Sequence, residues 1–415
     1  MTKFKIYTLG CKVNQYDSAE LKNLLLLNSF KYSSSFCDLI LINSCSVTKM
    51  AIAKCKKLIN RVKKENKGAK IVLFGCWPRV YDDLEIDVDL IWNGKNDNWS
   101  DLLKNIEELG FDVNFYKFES GLANLKSVEG RKRYFIKIQD GCNQFCSYCV
   151  IPHSRGGLKS RQPEDIVGEI KRAIDNSYQE IVLSGIHLGL YGKDFKGRDY
   201  DLFKLLKEVT GIKANFRIRL SSIEPNEVTD KIIKLFLKSK KLCPNFHIPL
   251  QSGSDKILKL MNRPYNKDFF IKKIERIRKL IPNVAISTDL IVGFPGERDD
   301  DFLDSYNFIK NVNFCKVHVF SFSAHEKTPA YSMVDRVDSI TIKKRSEKIR
   351  LLSEKLEKDY QEKILKEEKE LFCLVEKFCP KKSELKTQFG FNFLLSSKKY
   401  KITKDSLGKI IKILK

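Results

Sequence analysis

Over the first quarter of the chain, short unbroken apolar runs alternate with stretches whose apolar residues recur every three or four positions. The runs are "KFKIYTLGC", "DLILINSC", "AKIVLFGC" and "VDLIWNG". Continuous apolar runs of this length read as strands buried on both faces. Between them, "DSAELKNLLLLNSF" predicts a helix capped by Asp17 or Ser18. Lys49 to Lys67 predicts a basic helix, and a further helix runs through Leu109. Strand and helix in alternation predict an α/β, doubly wound parallel sheet over residues 1–125.

The same alternation continues over residues 130–337 through six strands: "RYFIKIQDGC", "EIVLSGIHLG", "FRIRLSSIEP", "NFHIPLQSG", "VAISTDLIVGFPGE" and "KVHVFSFSA". Nearly all end in Gly, Ser, Asn or a charged residue, as in a partial (β/α)6 barrel whose rim loops hold the site. Residues 338–370 predict one long charged helix. The tail, 371–415, carries "LFCLVEKFCP", "FGFNFLLSS" and "KYKITKD", read as short strands, with eleven lysines against three acidic residues. It is either a small basic β-rich module that binds nucleic acid or a solvated lysine-rich end.

Composition narrows the class. A chain of 415 residues exceeds one ordinary domain, and 42% hydrophobic with 31% charged residues fits a soluble globular protein. No apolar run approaches membrane-spanning length, and "MTKFKIYTLGC" lacks the layout of a signal peptide. The expectation is a cytoplasmic protein without membrane association, whose twelve cysteines are reduced or ligate metal. The net charge of +24 points to a polyanionic partner, or else to the lysine bias of a genome short of G and C.

Cysteine placement carries the chemistry. Cys11, Cys45 and Cys76 each fall at the carboxyl end of one of the first three strands. In an open parallel sheet those ends share one edge, so three βα units bring three thiols to one crevice and suggest a shared metal site. Cys37, Cys55, Cys243, Cys315, Cys373 and Cys379 show no such placement and read as structural or incidental. A second set, Cys142, Cys146 and Cys149, lies within "DGCNQFCSYC", with no further cysteine before Cys243. Zinc would take His153 as a fourth ligand; a four-iron cluster on three thiolates would leave one iron open.

Cys-x3-Cys-x2-Cys after the first strand of a partial barrel resembles the radical S-adenosylmethionine enzymes. "TLGCKVNQYDS", "NSCSVT", "FGCW", "IQDGCNQFCSYCVIPHSRG", "RLSSIEP", "IPLQSGSD" and "DLIVGFPGE" look like the methylthiotransferase subfamily, from residue 3 to about 335. The resemblance implies a 4Fe-4S cluster on Cys142, Cys146 and Cys149 whose open iron chelates S-adenosylmethionine. It implies a second 4Fe-4S cluster on Cys11, Cys45 and Cys76 that carries a sulfur or methylsulfur group. One S-adenosylmethionine would methylate that sulfur. A second would supply the radical that takes a hydrogen from the substrate carbon, which then captures the methylthio group. An electron donor such as flavodoxin or ferredoxin would reduce the cluster.

The implied substrate is tRNA at the anticodon stem-loop, and the terminal module would match an RNA-binding β-barrel (TRAM-like). "YTLGCKVNQYDS", "SGIHLGLYG" and "RLSSIEP" look most like the group that inserts a methylthio group at C2 of N6-threonylcarbamoyladenosine. The alternatives are N6-isopentenyladenosine, a ribosomal-protein aspartate, and a non-catalytic iron–sulfur or zinc RNA-binding protein. Tyr148 is either a neighbour of the cofactor's adenine or an aromatic plug. Gly185, Glu224, Gln251 and Ser252 end barrel strands and are candidates to line the cofactor site. His187 and His247 read as packed histidines, and "GFPGE" as a Gly-rich approach to the cofactor or a turn.

Overall fold

The apolar runs of the first segment become strands because each packs on both faces. In chain order the elements are β1 (Lys3–Thr8), α1 (Lys12–Leu27), β2 (Lys31–Tyr32), β3 (Leu39–Ser44), α2 (Lys49–Glu65), β4 (Lys70–Gly75), α3 (Cys76–Val80), β5 (Leu90–Ile91) and α4 (Trp99–Glu108). The strands pair in parallel in the order β2-β1-β3-β4-β5. β3 is buried at every position. Phe4, Leu21, Leu24, Phe74, Trp99 and Leu102 form the core on one face, and Ile40, Ile42, Ile59, Val62 and Leu73 the core on the other. The strand order reverses between β1 and β3, the switch point at which open α/β sheets bind ligands.

One expectation is corrected. α1 begins at Lys12 with Cys11 as its N-cap, so Asp17 and Ser18 are buried helix residues rather than caps. Asp17 accepts from Arg155 at 3.0 Å, and Ser18 Oγ accepts from Thr8 Oγ1 at 2.8 Å and Asn43 Nδ2 at 2.9 Å.

The structure is a computed structural model that describes residues 1–81, 83–94, 98–114 and 132–414. The border expected between residues 125 and 130 lies outside the described residues. The chain forms two compact units: Met1–Lys126 with Asp140–Lys159 and Ser323–Tyr331, and Ser127–Gln139 with Ser160–Phe322 and Ser332–Lys415.

The elements continue as β6 (Tyr134–Asp140), α5 (Ile151–Arg155), β7 (Lys159–Ser160), α6 (Pro163–Asp175), β8 (Glu180–Gly185), α7 (Leu202–Gly211), β9 (Arg217–Leu220), α8 (Asp230–Lys238), β10 (Asn245–His247), α9 (Asp255–Leu260), α10 (Lys267–Leu280), β11 (Ala285–Val292), α11 (Asp299–Val312) and β12 (Lys316–Ser321). β6, β8 and β9 pair in parallel, as do β10, β11 and β12. A parallel bridge from Ser222 to His247 joins the two sets. The result is the open (β/α)6 barrel expected, with the short β7 added beside β6.

α12 (Ser339–Glu367) leads into β13 (Glu370–Lys377), β14 (Lys382–Thr387), β15 (Asn392–Ser396) and β16 (Ile410–Leu414), an antiparallel sheet in the order β15-β14-β13-β16. "KYKITKD" is not a strand: it forms a turn that runs into a 3-10 turn at Lys404–Ser406. β14 escaped the sequence reading because its buried positions alternate Ser383, Leu385 and Thr387, too polar for an apolar run. Leu371, Cys373, Val375, Leu385 and Phe391 form its core together with Ile364 of α12 and Ala285 of β11. Among the described residues no helix is long and apolar enough to cross a membrane.

Candidate active site

The strand ends of the first unit gather three thiols. Cys11 caps α1, Cys45 follows β3, and Cys76 opens α3 directly after β4. Asn14 neighbours two of them, Cys11 and Cys76. Its Oδ1 accepts from Cys11 Sγ at 3.3 Å and lies 3.8 Å from Cys76 Sγ. Its Nδ2 donates to Leu9 O, Asn43 Oδ1 and Ser44 O, at 3.1, 3.1 and 2.9 Å, which fixes the amide's orientation. Cys45 closes the group, since a Cβ placed on Gly10 would lie 3.0 Å from the Cys45 Cβ.

Burial raises the Cys11 thiol, with Arg155 opposing and Cys76 adding to the rise. Burial, then Cys76, pushes Cys45 up to about 12. Thiolates gathered at one strand edge repel one another, so a bound cation or cluster would be needed to hold them there together.

The second cysteine set lies on a closed loop of the same unit. Cys142 N donates to Gly156 O at 3.1 Å and Leu158 N to Asn143 Oδ1 at 3.0 Å, so the loop returns to its own start. Gln144 N donates to Cys142 Sγ at 3.3 Å, which fixes that sulfur against the loop backbone. Cys142 and Cys146 are buried, and Cys149 and Tyr148 are half-buried. His153, the zinc alternative's fourth ligand, is exposed on α5. Among the described residues no three Cys, His, Asp or Glu side chains meet where one metal ion could bind them all. A four-iron cluster spreads its thiolates over the corners of a cube, so the donor set is to be judged at that wider spacing. Among the described residues Gln144 Nε2 and Arg155 Nε are buried donors without a partner, as expected beside an anionic group. Each triad offers three thiols, the donor type that iron–sulfur clusters take.

Arg155, which the sequence reading did not single out, joins the two sets. Its Nη1 donates to both Asp140 oxygens at 2.9 Å, and its Nη2 to Asn14 Oδ1 at 2.8 Å and Asp17 Oδ2 at 3.0 Å. Burial disfavours its charge, but Asp140 and the other acidic neighbours overcome this and raise its pKa. The available signal was its place in "CVIPHSRG", directly downstream of Cys149.

The remaining candidates lie in the second unit. Gly185 ends β8 against Gln139, whose Oε1 would lie 2.9 Å from an added Cβ. Glu224 follows β9, pairs with Arg263, and has its carboxyl raised by burial. Arg263 also donates to Tyr265 Oη at 3.0 Å. Gln251 adopts φ +67°, uncommon for a residue with a side chain and frequent at functional sites. Ser252 is buried, its Oγ 3.4 Å from Ser305 Oγ of α11. His187 pairs with Glu227 at 2.8 Å, and His247 with Ser287 at 2.9 Å and Asp289 at 3.0 Å.

Comparison with known proteins agrees with this reading of the fold. Residues 136–309 match the Radical SAM superfamily, and residues 3–89 match a family described as Uncharacterized protein family UPF0004. A radical S-adenosylmethionine methyltransferase, TsrM from Kitasatospora setae, superposes with a TM-score of 0.60 over 80% of this chain and 77% of that one. At 12% identity that likeness concerns the fold alone. The class is thus a radical S-adenosylmethionine enzyme.

The chain is 34% identical over 436 residues to the threonylcarbamoyladenosine tRNA methylthiotransferase MtaB of Bacillus subtilis (strain 168), covering 100% of this chain and 93% of that protein. It is also 34% identical over 358 residues to the tRNA-2-methylthio-N(6)-dimethylallyladenosine synthase of Desulfitobacterium hafniense (strain Y51), covering 82% and 79%. The chain belongs to the radical S-adenosylmethionine methylthiotransferase family.

Proposed function

We propose that this enzyme inserts a methylthio group at C2 of N6-threonylcarbamoyladenosine next to the anticodon of tRNA, using two S-adenosylmethionine molecules and two 4Fe-4S clusters. The carrying observation is the 34% identity to the Bacillus subtilis methylthiotransferase over 100% of the chain, terminal sheet included. Cys142, Cys146 and Cys149 would hold one cluster, and Cys11, Cys45 and Cys76 the other. The first, when bound and reduced, supplies with S-adenosylmethionine a carbon radical able to break a C–H bond beyond acid–base chemistry.

The chain's own residues present those ligands. The loop bonds at Cys142 and Asn143 hold one group of thiols, and Asn14 faces Cys11 and Cys76 of the other. Tyr148, Gly185, Glu224, Gln251 and Ser252 remain the candidates to line the S-adenosylmethionine site, with Arg263 fixing Glu224. A flavodoxin or ferredoxin would supply electrons, and the enzyme would work in the cytoplasm.

The dimethylallyladenosine synthase at equal identity favours a second reading, the same chemistry on N6-isopentenyladenosine. Mass spectrometry of tRNA nucleosides from a deletion strain separates the two. Loss of the 2-methylthio form of threonylcarbamoyladenosine, with its unmodified precursor accumulating, is expected. Loss of the isopentenyl counterpart instead would replace the first reading with the second.

A further inference from the structure

Arg155 has a fully buried side chain, with 0% of its surface accessible. Its two terminal nitrogens reach four acceptors on two stretches of chain. Asp140 immediately precedes the Cys142 loop, whereas Asn14 and Asp17 belong to α1, just beyond Cys11. A planar, permanently charged fork can hold both ends at once, which a lysine ammonium cannot. Asn14 Oδ1, which accepts from Nη2, also faces the sulfurs of Cys11 and Cys76. One acceptor atom therefore separates the guanidinium from two of the three crevice thiols.

The third nitrogen completes the picture. Arg155 Nε is buried with no hydrogen-bond partner among the described residues. Orphaned donors on a charged buried group are rare in native proteins and costly. An anionic group beside it would satisfy this one.

We propose that Arg155 is a positioning residue that ties the Cys142–Cys149 loop to the Cys11, Cys45 and Cys76 crevice and supplies a fixed positive charge to an anionic iron–sulfur group held there. The inference rests on the two-cluster reading above and goes beyond it by assigning this residue.

The charge balance sets the sign of its effect. Asp17 and Asp140 face the guanidinium, and Arg79 is a second cation acting on Asp17, Asp140 and Cys76. Removing Arg155 takes one positive charge from this surrounding, so a cluster beside it would accept an electron less readily.

The test uses the full chain carrying C142A, C146A and C149A, so that only the crevice can take iron. Anaerobically reconstituted parent, R155K, R155Q and D17N proteins are compared for iron per chain and for midpoint potential by redox titration. The parent should hold about four irons, the content of one cluster. R155Q should titrate at a more negative potential than the parent, and R155K should stay close to it. D17N, which removes one flanking carboxylate, should move the potential the opposite way, and it answers the question if R155Q does not fold. An iron-loaded R155Q or D17N with the parent's potential overturns the assignment to Arg155. A parent that binds no iron overturns the two-cluster reading, and this proposal with it.

Discussion

Gly141 takes φ +66° directly before Cys142, and a Cβ there would lie 1.9 Å from Gly157 O. Gly75, at φ +100° before Cys76, would bring a Cβ within 2.4 Å of Asn43 Oδ1. Both cysteines are thus delivered by backbone conformations that only glycine adopts without strain. A buried histidine bonds the chain just after Cys45. His325 is buried, its Nε2 2.9 Å from Val47 O and its Nδ1 3.3 Å from Tyr81 Oη, which fits the neutral ring donating to Val47 and accepting from Tyr81. Val47 stands two residues after Cys45. Burial lowers the His325 pKa, against the Val47 bond. The unfolded chain takes up this proton near the ordinary value of about 6.5, and the folded chain only at lower pH. Stability is therefore full above that value and falls as the pH drops below it. The melting temperature of the apo protein should decrease from pH 7 to pH 5.5, and less so in H325Q. Parallel pH profiles for the two proteins would rule out this role.

At the scale of elements, the terminal sheet is fastened to the barrel strands by buried charge. Arg217 and Arg219 of β9 flank Glu180 of β8, with Arg217 Nε at 2.6 Å and Arg219 Nε at 2.9 Å. Their other nitrogens donate to Phe372 O at 2.7 Å, Lys386 O at 3.0 Å, Thr387 O at 3.0 Å and Gln388 O at 3.3 Å. Burial would raise the Glu180 carboxyl, but Arg219 and Arg217 hold it far below the usual carboxylate range. Removing one member of a buried ion network leaves uncompensated charge, at a cost of about 3–5 kcal/mol. E180A should lower the urea midpoint accordingly, whereas K398Q, an exposed change in the turn after β15, should leave it within about 0.5 kcal/mol. Equal effects from the two would show that this network contributes little. Deleting residues 371–415 would strip these carbonyls from both arginines, so charge substitutions test the sheet's role better than truncation.

For the whole molecule, the net charge of +24 has a candidate focus on the terminal sheet. Lys381, Lys382, Lys398, Lys399 and Lys401 are exposed. They share one end of that sheet, where Ser397 N donates to Lys381 O at 3.2 Å and Ser383 Oγ lies 2.9 Å from Ser397 Oγ. On the tRNA reading, lysines spread along an edge neutralise phosphates rather than read bases. Affinity for tRNA should fall steeply with salt. Changing these five residues to Gln should weaken binding and reduce the log–log slope by about 0.7 to 0.9 for each phosphate no longer neutralised. An unchanged slope in salt titrations of the variant would place the RNA-binding surface elsewhere.

Local pattern alone encodes a large part of this protein. Apolar runs ending in cysteine specify the parallel sheet and the strand ends at Cys11, Cys45 and Cys76, because a strand's burial and its end are written within a few residues. The spacing of Cys142, Cys146 and Cys149 is equally local. The start of α1 is not legible in this way, because Asp17 and Ser18 are good caps by type. Nothing nearby shows that Arg155, 138 residues on, claims Asp17. β14 is hidden because its packing depends on β13 and β15 rather than on its own hydrophobicity. Tertiary packing alone brings both cysteine sets into one compact unit, with one guanidinium between them. Asn14 and Arg155 lie 141 residues apart, and a hydrogen bond over that separation is set by how whole elements pack, which no local periodicity records.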